Sequence, residues 1–227
     1  MRYGVILMGY KRNKALLEAA RLVLFQEPSP IRLVVWHNAP SLVTVPDFHN
    51  IYSDINIGCS ARHLIYGLFA GLDAVVFLDD DILMRKRLVC ATLVEHLLRE
   101  THPLVGYHGR KINTGNKPYS TELDVTEPGP VDVVKGFLCA TKPEFLKYVW
   151  DFALTPELRM EDDIILSGTT QIVFNKPGCI VEMPARAVEM VYYPNGNLSR
   201  PDHMQRRDAA CLEMLKRGWK PLCTQKG

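Results

Sequence analysis

One short stretch restricts the fold more than any other. Residues 74–78, Ala-Val-Val-Phe-Leu, form a continuous apolar run that stops at three adjacent carboxylates, Asp79, Asp80 and Asp81, with Arg85, Lys86 and Arg87 close behind. An apolar run of this length without polar alternation reads as a strand buried on both faces. Such strands belong to parallel sheets covered by helices, and ligands bind at the carboxyl ends of those strands. Three acids side by side at that edge repel one another unless water solvates them or a positive group sits among them.

The rest of the N-terminal half keeps the same rhythm. "YGVILM" (3–8) and "IRLVVW" (31–36) read as strands and "HNIYSD" (49–54) as a weaker one. "NKALLEAARLVL" (13–24), with Asn13 as N-cap, "SARHLIYGLFAGL" (60–72), opened by Ser60, and "RLVCATLVEHLLRE" (87–100) read as helices. The order β-α-β-β-α-β-α predicts an α/β fold with a mostly parallel central sheet flanked by helices. The positions to inspect therefore follow the strands: Gly9, Tyr10, Lys11 and Arg12, then His37 and Asn38, then Asp54, then the acid triplet.

The second half is less regular. "PLVGYHGR" (103–110) and "VDVVKGFLCAT" (131–141) read as strands, separated by a polar loop or hairpin at 112–130. "KPEFLKYVWDFAL" (142–154) reads as a helix with Pro at its first position, and "EDDIILSGTTQI" (161–172) as a helix whose three leading acids suit its N-terminus. "CIVEMP" (179–184) is a strand and residues 201–218 an Arg-rich helix. No repeat or composition shift divides the chain. It reads as a single domain over 1–227.

Composition narrows the function. A formal net charge of +2 gives no bulk attraction for nucleic acid. The six cysteines contain no C-x-x-C pair, so they read as reduced thiols of a reducing compartment, not as a zinc ribbon. The N-terminus lacks a signal-peptide cleavage pattern. The longest apolar stretch, 64–78, is interrupted by Gly67, Gly71 and Asp73 and is too short for a transmembrane segment. The expected location is cytoplasmic.

Two acid clusters and several cations carry the chemistry. On an extended segment Asp79 and Asp81 point to one side, and two such carboxylates with water make a hard-oxygen site for Mn²⁺ or Mg²⁺ that also clamps a substrate diphosphate. The competing reading is a solvated acidic loop tip. Glu161, Asp162 and Asp163 form the second cluster, read either as helix-terminal acids or as a carboxylate for group transfer to a hydroxyl. Arg12, Arg62, Arg200, Arg206 and Arg207 are candidates for phosphate contacts, and His203 for a metal ligand or phosphate donor; each is otherwise a solvated charge.

Taken in order, "VILMGYKR", "VVWHN", "NIGCSARH", "VVFLDDDIL", "LVGYHGR", "VVKGFLCATK" and "MEDDIIL" resemble the GT-A nucleotide-sugar glycosyltransferases, and most closely the exostosin-type (family 64) domain, over residues 3–170. That resemblance implies a metal-dependent hexosyltransferase moving a sugar from a UDP-sugar donor to a glycan or glycoprotein hydroxyl, with 1–100 as the nucleotide-binding half and 101–227 as the acceptor-side half and C-terminal segment. Exostosin-type enzymes act with retention, many small GT-A enzymes with a Glu-Asp motif with inversion. The resemblance implies metal ligation by Asp81, with Asp79 a direct ligand or one step behind it; His203 lies beyond the resembling span and stays a candidate ligand from its own chemistry. Donor contacts would come from Gly9, Tyr10, Arg12, Asn38, Asp54, Arg62, Asp79, Asp80, Arg110 and Gly136. The catalytic acid is Asp163 if the motif is aligned on Ile164, the alignment we prefer, and Asp162 if it is aligned on the Glu-Asp pair. Exostosin-type domains are membrane-anchored, whereas small soluble GT-A domains occur in bacteria and large viruses; a viral member would work in the host cytoplasm. Two rivals stand beside this reading. One is a haloacid-dehalogenase-type phosphatase, whose D-x-D motif normally continues with Thr or Val, not Ile82-Leu83. The other is an inactive sugar-nucleotide-binding protein.

Overall fold

The structure is a computed structural model describing residues 1–40, 43–100, 102–152, 160–191 and 202–224. In chain order the first half gives β1 (Tyr3–Gly9), α1 (Asn13–Leu24), β2 (Arg32–His37), β3 (His49–Tyr52), a one-turn α2 (Ala61–Leu64), β4 (Ala74–Asp79), β5 (Ile82–Met84) and α3 (Val89–Arg99). The second gives β6 (Leu104–Gly106), β7 (Gly109–Arg110), β8 (Asp124–Val125), β9 (Gly129–Val131), β10 (Val133–Val134), β11 (Leu138–Thr141), α4 (Asp162–Phe174), β12 (Gly178–Ile180), β13 (Val188–Met190) and α5 (His203–Lys216).

Eight strands form the main sheet in the order β3-β2-β1-β4-β11-β6-β12-β9. The first four are parallel. β11 runs antiparallel between β4 and β6, and β9 is antiparallel to β12. The apolar runs are continuous because both faces of the sheet are covered. Val5, Leu7, Val76 and Leu78 point into a core shared with α1 and α3. Their neighbours Ile6, Val75 and Phe77 point into a second core built with residues of α4 and α5. All seven β1 residues are buried. β11 begins at the edge where β4 ends, with the Asp79 N–H donating to Phe137 O at 2.9 Å, so the segment preceding β11 meets the acid triplet there.

Several local expectations give way. Asn13 is the first helical residue, not the cap, and its Oδ1 accepts from the Val43 N–H at 3.2 Å. Ser60 makes no capping bond either, and its Oγ is buried without a partner. The helix expected over 60–72 is α2 followed by a 3₁₀ turn at Tyr66–Phe69, ending before Gly71 at φ 78°. Within 142–154, residues 153 and 154 lie outside the described set, and Pro143–Asp151 is 3₁₀. The strands expected at 103–110 and 131–141 each divide between two sheets, because β7 and β10 pair with each other and with β8 in a small sheet of order β10-β7-β8.

Candidate active site

At the end of β4 the chain is not extended. Asp80 and Asp81 form the turn into β5, so the three carboxylates meet different partners. This corrects the expectation that Asp79 and Asp81 share a side by strand alternation. Asp80 is buried, accepts the Tyr10 N–H at 2.9 Å and is ion-paired with Arg12. Burial pushes its pKa up to about 7 against the pull of Arg12 and the Tyr10 N–H; with both donors in place, the carboxylate is the form the geometry satisfies. Asp81 Oδ2 lies 2.6 Å from Arg12 Nη1. Asp79 Oδ1 is buried and lies 3.0 Å from Arg62 Nη1 without a well-directed hydrogen bond. Burial raises the Asp79 pKa, and Arg62 opposes that rise.

The second cluster opens α4, with Glu161 at the cap position and Asp162 and Asp163 in the first turn. The helix dipole favours acids there, but these acids are buried and each has a specific cation. Arg207 reaches Glu161 Oε2 at 2.9 Å and Asp163 Oδ2 at 2.5 Å. Asp163 Oδ1 accepts the Ile164 N–H, so both of its oxygens are engaged. Asp162 differs: Oδ2 lies 2.9 Å from Arg62 Nε, and Oδ1 has no hydrogen-bond partner among the described residues. Both oxygens face Gly136, where a Cβ would come within 3.3 and 3.5 Å of them, so a glycine keeps this space open. Burial, together with the charges of Asp163 and Asp79, holds Asp162 well above the carboxylate range despite Arg62. Burial also works against charge on Asp163, but Arg207 and Lys135 outweigh it and hold its pKa low.

Arg62, 1% exposed, joins the two clusters. It contacts Asp79 and Asp162 and donates to Gly136 O at 2.9 Å. Beside it His63 is fully buried, with neither ring nitrogen hydrogen-bonded and Nε2 4.0 Å from Asp162. Burial and the Arg62 charge push its pKa down to about 3, so the ring is neutral. Arg62, Asp79, Gly136 and the three acids of the second cluster line a cleft of about 760 Å³ together with Lys135, His203, Arg206 and Arg207. Another cleft, of about 590 Å³, lies against α3 and β12 and contains neither acid cluster.

No family model matches the chain, and no curated protein matches it. Solved structures do. The mannosyltransferase PcManGT from Pyrobaculum calidifontis, in complex with GDP-Man and Mn²⁺, aligns with a TM-score of 0.54 at 17% identity over 82% of this chain and 58% of that one. GalNAc-T7, with UDP, GalNAc and Mn²⁺, aligns with a TM-score of 0.66 at 12% identity over 86% of this chain and 44% of that one. The fold is GT-A. The chain spans a little over half of the first neighbour's length and less than half of the second's.

Within this GT-A frame the expected site residues divide. Arg62, Asp79, Gly136, Asp162, Asp163 and His203 line one cleft. Gly9 ends β1, Tyr10 follows it, and Arg12 is paired with Asp80 and Asp81. Asp54 is exposed in the loop after β3. Asn38 is buried and shapes that same loop through Asn56, the Ile57 N–H and Gly58 O. Arg110 is also buried, and its guanidinium holds Asp124 and Tyr119 O. Among the described residues no group of three or more His, Cys, Asp or Glu side chains is placed to hold a metal ion. Arg200 lies outside the described residues. Sequence reasoning missed His108, Tyr119, Asp124 and Lys135, which complete the cleft lining; the one signal was Lys135 immediately preceding Gly136.

Proposed function

We propose that this chain is a glycosyltransferase moving a sugar from a nucleoside diphosphate donor to a hydroxyl of a glycan or glycoprotein. The observation that carries the reading is one cleft in which Arg62 joins Asp79, at the end of β4, to Asp162, in the first turn of α4. The GT-A fold and the ordered exostosin-type motifs support it, as do neighbours whose structures contain GDP-Man or UDP together with Mn²⁺. Residues 1–100 supply the donor side, with Tyr10, Arg12 and Asp54 toward a uridine nucleoside, and residues 101–227 supply the acceptor side. All six cysteines are free, which fits a reducing, cytoplasmic setting. No helix of the described residues is long and apolar enough to cross a membrane.

A divalent ion suits the first cluster. Asp79 offers a buried oxygen without a directed hydrogen bond, and Asp81 is one-fifth exposed. Two carboxylates completed by substrate phosphates are the usual hold on Mg²⁺ or Mn²⁺. Asp79 and Asp81 would hold the ion, and His203 lines the same cleft. When bound, such an ion offsets charge on the departing diphosphate.

At the reacting centre we assign Asp162 in preference to Asp163. A base needs an oxygen free to receive a proton and a pKa near the working pH. Asp162 has both, whereas both oxygens of Asp163 are already engaged. Asp162 Oδ1 takes the proton of the acceptor hydroxyl as the hydroxyl oxygen bonds to the anomeric carbon and the diphosphate leaves with the electrons of the broken C–O bond. If the exostosin-type resemblance extends to retention, the same carboxylate stabilises positive charge at that carbon.

Thermal-shift measurements with UDP, GDP and AMP, each with and without Mn²⁺, test the donor assignment. The expected order is UDP above GDP and AMP, with the UDP shift dependent on Mn²⁺. Equal shifts for all three nucleotides would remove the uridine assignment, and no shift with any would remove the glycosyltransferase reading.

A further inference from the structure

Beyond the two acid clusters, the small sheet places a second set of polar groups in the cleft. His108 immediately precedes β7, Asp124 lies on β8, and Lys135 immediately follows β10. The Lys135 N–H donates to His108 O at 2.8 Å, tying two of the three together through the backbone. All three side chains line the cleft beside Phe137 and Tyr119.

Each group is fixed by neighbours and each keeps hydrogen-bonding capacity. Asp124 Oδ1 takes Arg110 Nε at 2.5 Å and Lys135 Nζ at 3.1 Å, and no described residue engages its Oδ2. Burial disfavours its charge, but Arg110 and Lys135 outweigh that and hold its pKa low, so it remains an acceptor-only carboxylate. Lys135 also bonds Tyr119 Oη, so one of its three N–H groups is left over. The Tyr119 ring is itself held between Arg110 and Arg207, at 4.2 and 4.3 Å. His108 Nδ1 is buried without a partner, and burial keeps the imidazole neutral. Its ring lies against Phe137, centroids 5.7 Å apart.

We infer that Asp124, Lys135 and His108, over the Phe137 ring, form a subsite for a pyranose presenting vicinal hydroxyls. One hydroxyl donates to Asp124 Oδ2 and its neighbour accepts from Lys135. The imidazole takes a further hydroxyl, and the aromatic face covers the ring C–H groups. The carboxylate disfavours a phosphate here, and the surrounding cations disfavour an amine. A neutral polyol with one apolar face is the class that uses donor, acceptor and aromatic surface together. Arg110 is a positioning residue, since it acts by fixing Asp124. The inference deepens the glycosyltransferase reading and rests on it.

Saturation-transfer NMR on the intact chain tests this with methyl α-D-mannopyranoside and methyl β-D-galactopyranoside as free glycosides. UDP-galactose and UDP with Mn²⁺ form the second arm, and a tetrahydropyran without vicinal hydroxyls is the control. At least one pyranose should bind and the control should not. Asp124→Asn and Lys135→Met should each weaken that sugar by tenfold or more while UDP affinity changes less than threefold. Loss confined to free glycosides makes the ring the acceptor's; loss confined to UDP-galactose makes it the donor's. His108→Phe, which keeps the ring packing, should give a smaller loss in the same arm. Sugar binding unchanged in both Asp124→Asn and Lys135→Met would overturn the subsite, as would a wild type that binds UDP but no pyranose. Failure of the glycosyltransferase reading would appear separately, as wild-type protein that does not bind UDP.

Discussion

The two acid clusters solve the same electrostatic problem in different ways. At the end of β4 the turn spreads Asp79, Asp80 and Asp81 over two arginines. Only Asp80 is fully buried, while Asp79 and Asp81 keep 27% and 21% of their side-chain surface. At the start of α4, Glu161, Asp162 and Asp163 are all less than a tenth exposed, and three arginines surround them. Part of the first cluster can therefore change partners in water, as binding an ion and a diphosphate requires. The second can lose a partner only at the cost of a buried charge. The difference teaches that acids gathered by one fold are set apart by solvent access: the first set stays partly open to water, and the second is closed over its arginines.

The sharpest way to break this contrast is to remove a cation from the buried cluster. Arg207→Met leaves Glu161 and Asp163 without their shared partner, and breaking a buried pair from one side costs about 3–5 kcal/mol. Arg206 lies 3.7 Å from its acids and is 22% exposed. Arg206→Met should stay within about 1 kcal/mol, the range of exposed pairs. Chemical denaturation of both variants gives the comparison, and equal losses would mean that the buried Arg207 pairs hold the second cluster no more strongly than the partly exposed Arg206 contact.

Next in size is the separation between adjacent carboxylates. Asp162→Asn should lower turnover at least about 10²-fold, the low end for a lost general base, with metal-dependent UDP affinity within about threefold. Asp163→Asn should act mainly on stability, because it disturbs the Arg207 pair. Initial rates and calorimetry on both variants decide the matter. A stable but inactive Asp163→Asn beside an active Asp162→Asn would reverse the assignment.

That distinction was not legible in the sequence. Glu161, Asp162 and Asp163 are equivalent acids until Arg207, 44 residues beyond Asp163, engages two of them. The strands of the main sheet were legible because burial on both faces removes polar alternation, as in β1 and β4. The small sheet was not: two-residue strands such as β7 and β10 have no periodicity of their own, and long-range pairing alone defines them. β5 was hidden for the same reason, since its partner β13 lies about a hundred residues away. Asn13 and Ser60 have the residue types of caps, yet tertiary contacts or burial claimed their side chains. Arg110 and Asn38 hold neighbouring loops in the fold, Arg110 through Asp124 and Tyr119 O and Asn38 through Asn56, Ile57 and Gly58, and nothing local indicates which way a polar side chain turns.

The exposed cluster gives a smaller, ligand-dependent effect. Asp81→Ala should weaken UDP binding in Mn²⁺ by about tenfold, roughly 1.4 kcal/mol, and EDTA should do the same to the wild type. Stability should change little, since Asp81 is partly solvated and Arg12 keeps Asp80. Calorimetry returning the same UDP affinity with and without chelator would remove the ion from the first cluster and leave Arg12 and Arg62 as its sole counter-charges.

The smallest expected effect is a change of slope. His63 has its pKa pushed down to about 3 in the fold, against an ordinary value of about 6.5. The unfolded chain therefore binds a proton that the folded chain refuses, so the His63 contribution is present above about pH 6.5 and is lost as pH falls toward 3. Asp162 works in the opposite sense. Its pKa is raised to about 7, so its contribution is present at low pH and is lost as pH rises through that value. Between about pH 4.5 and 6.5 the two terms oppose each other, and wild-type stability should vary by less than the ~1.36 kcal/mol per pH unit that one fully linked proton gives. His63→Phe keeps an aromatic ring against Phe77 and removes one term. Its stability should fall more steeply than the wild type's as pH rises across that window. Asp162→Asn removes the other, and its stability should fall more steeply as pH drops. Urea midpoints at pH 4.5, 5.5 and 6.5 for the three proteins measure both slopes. Parallel profiles for wild type and His63→Phe would mean that the imidazole keeps its proton on folding, with Asp162 ionised beside it, and Asp162 would then no longer be the high-pKa member of its cluster.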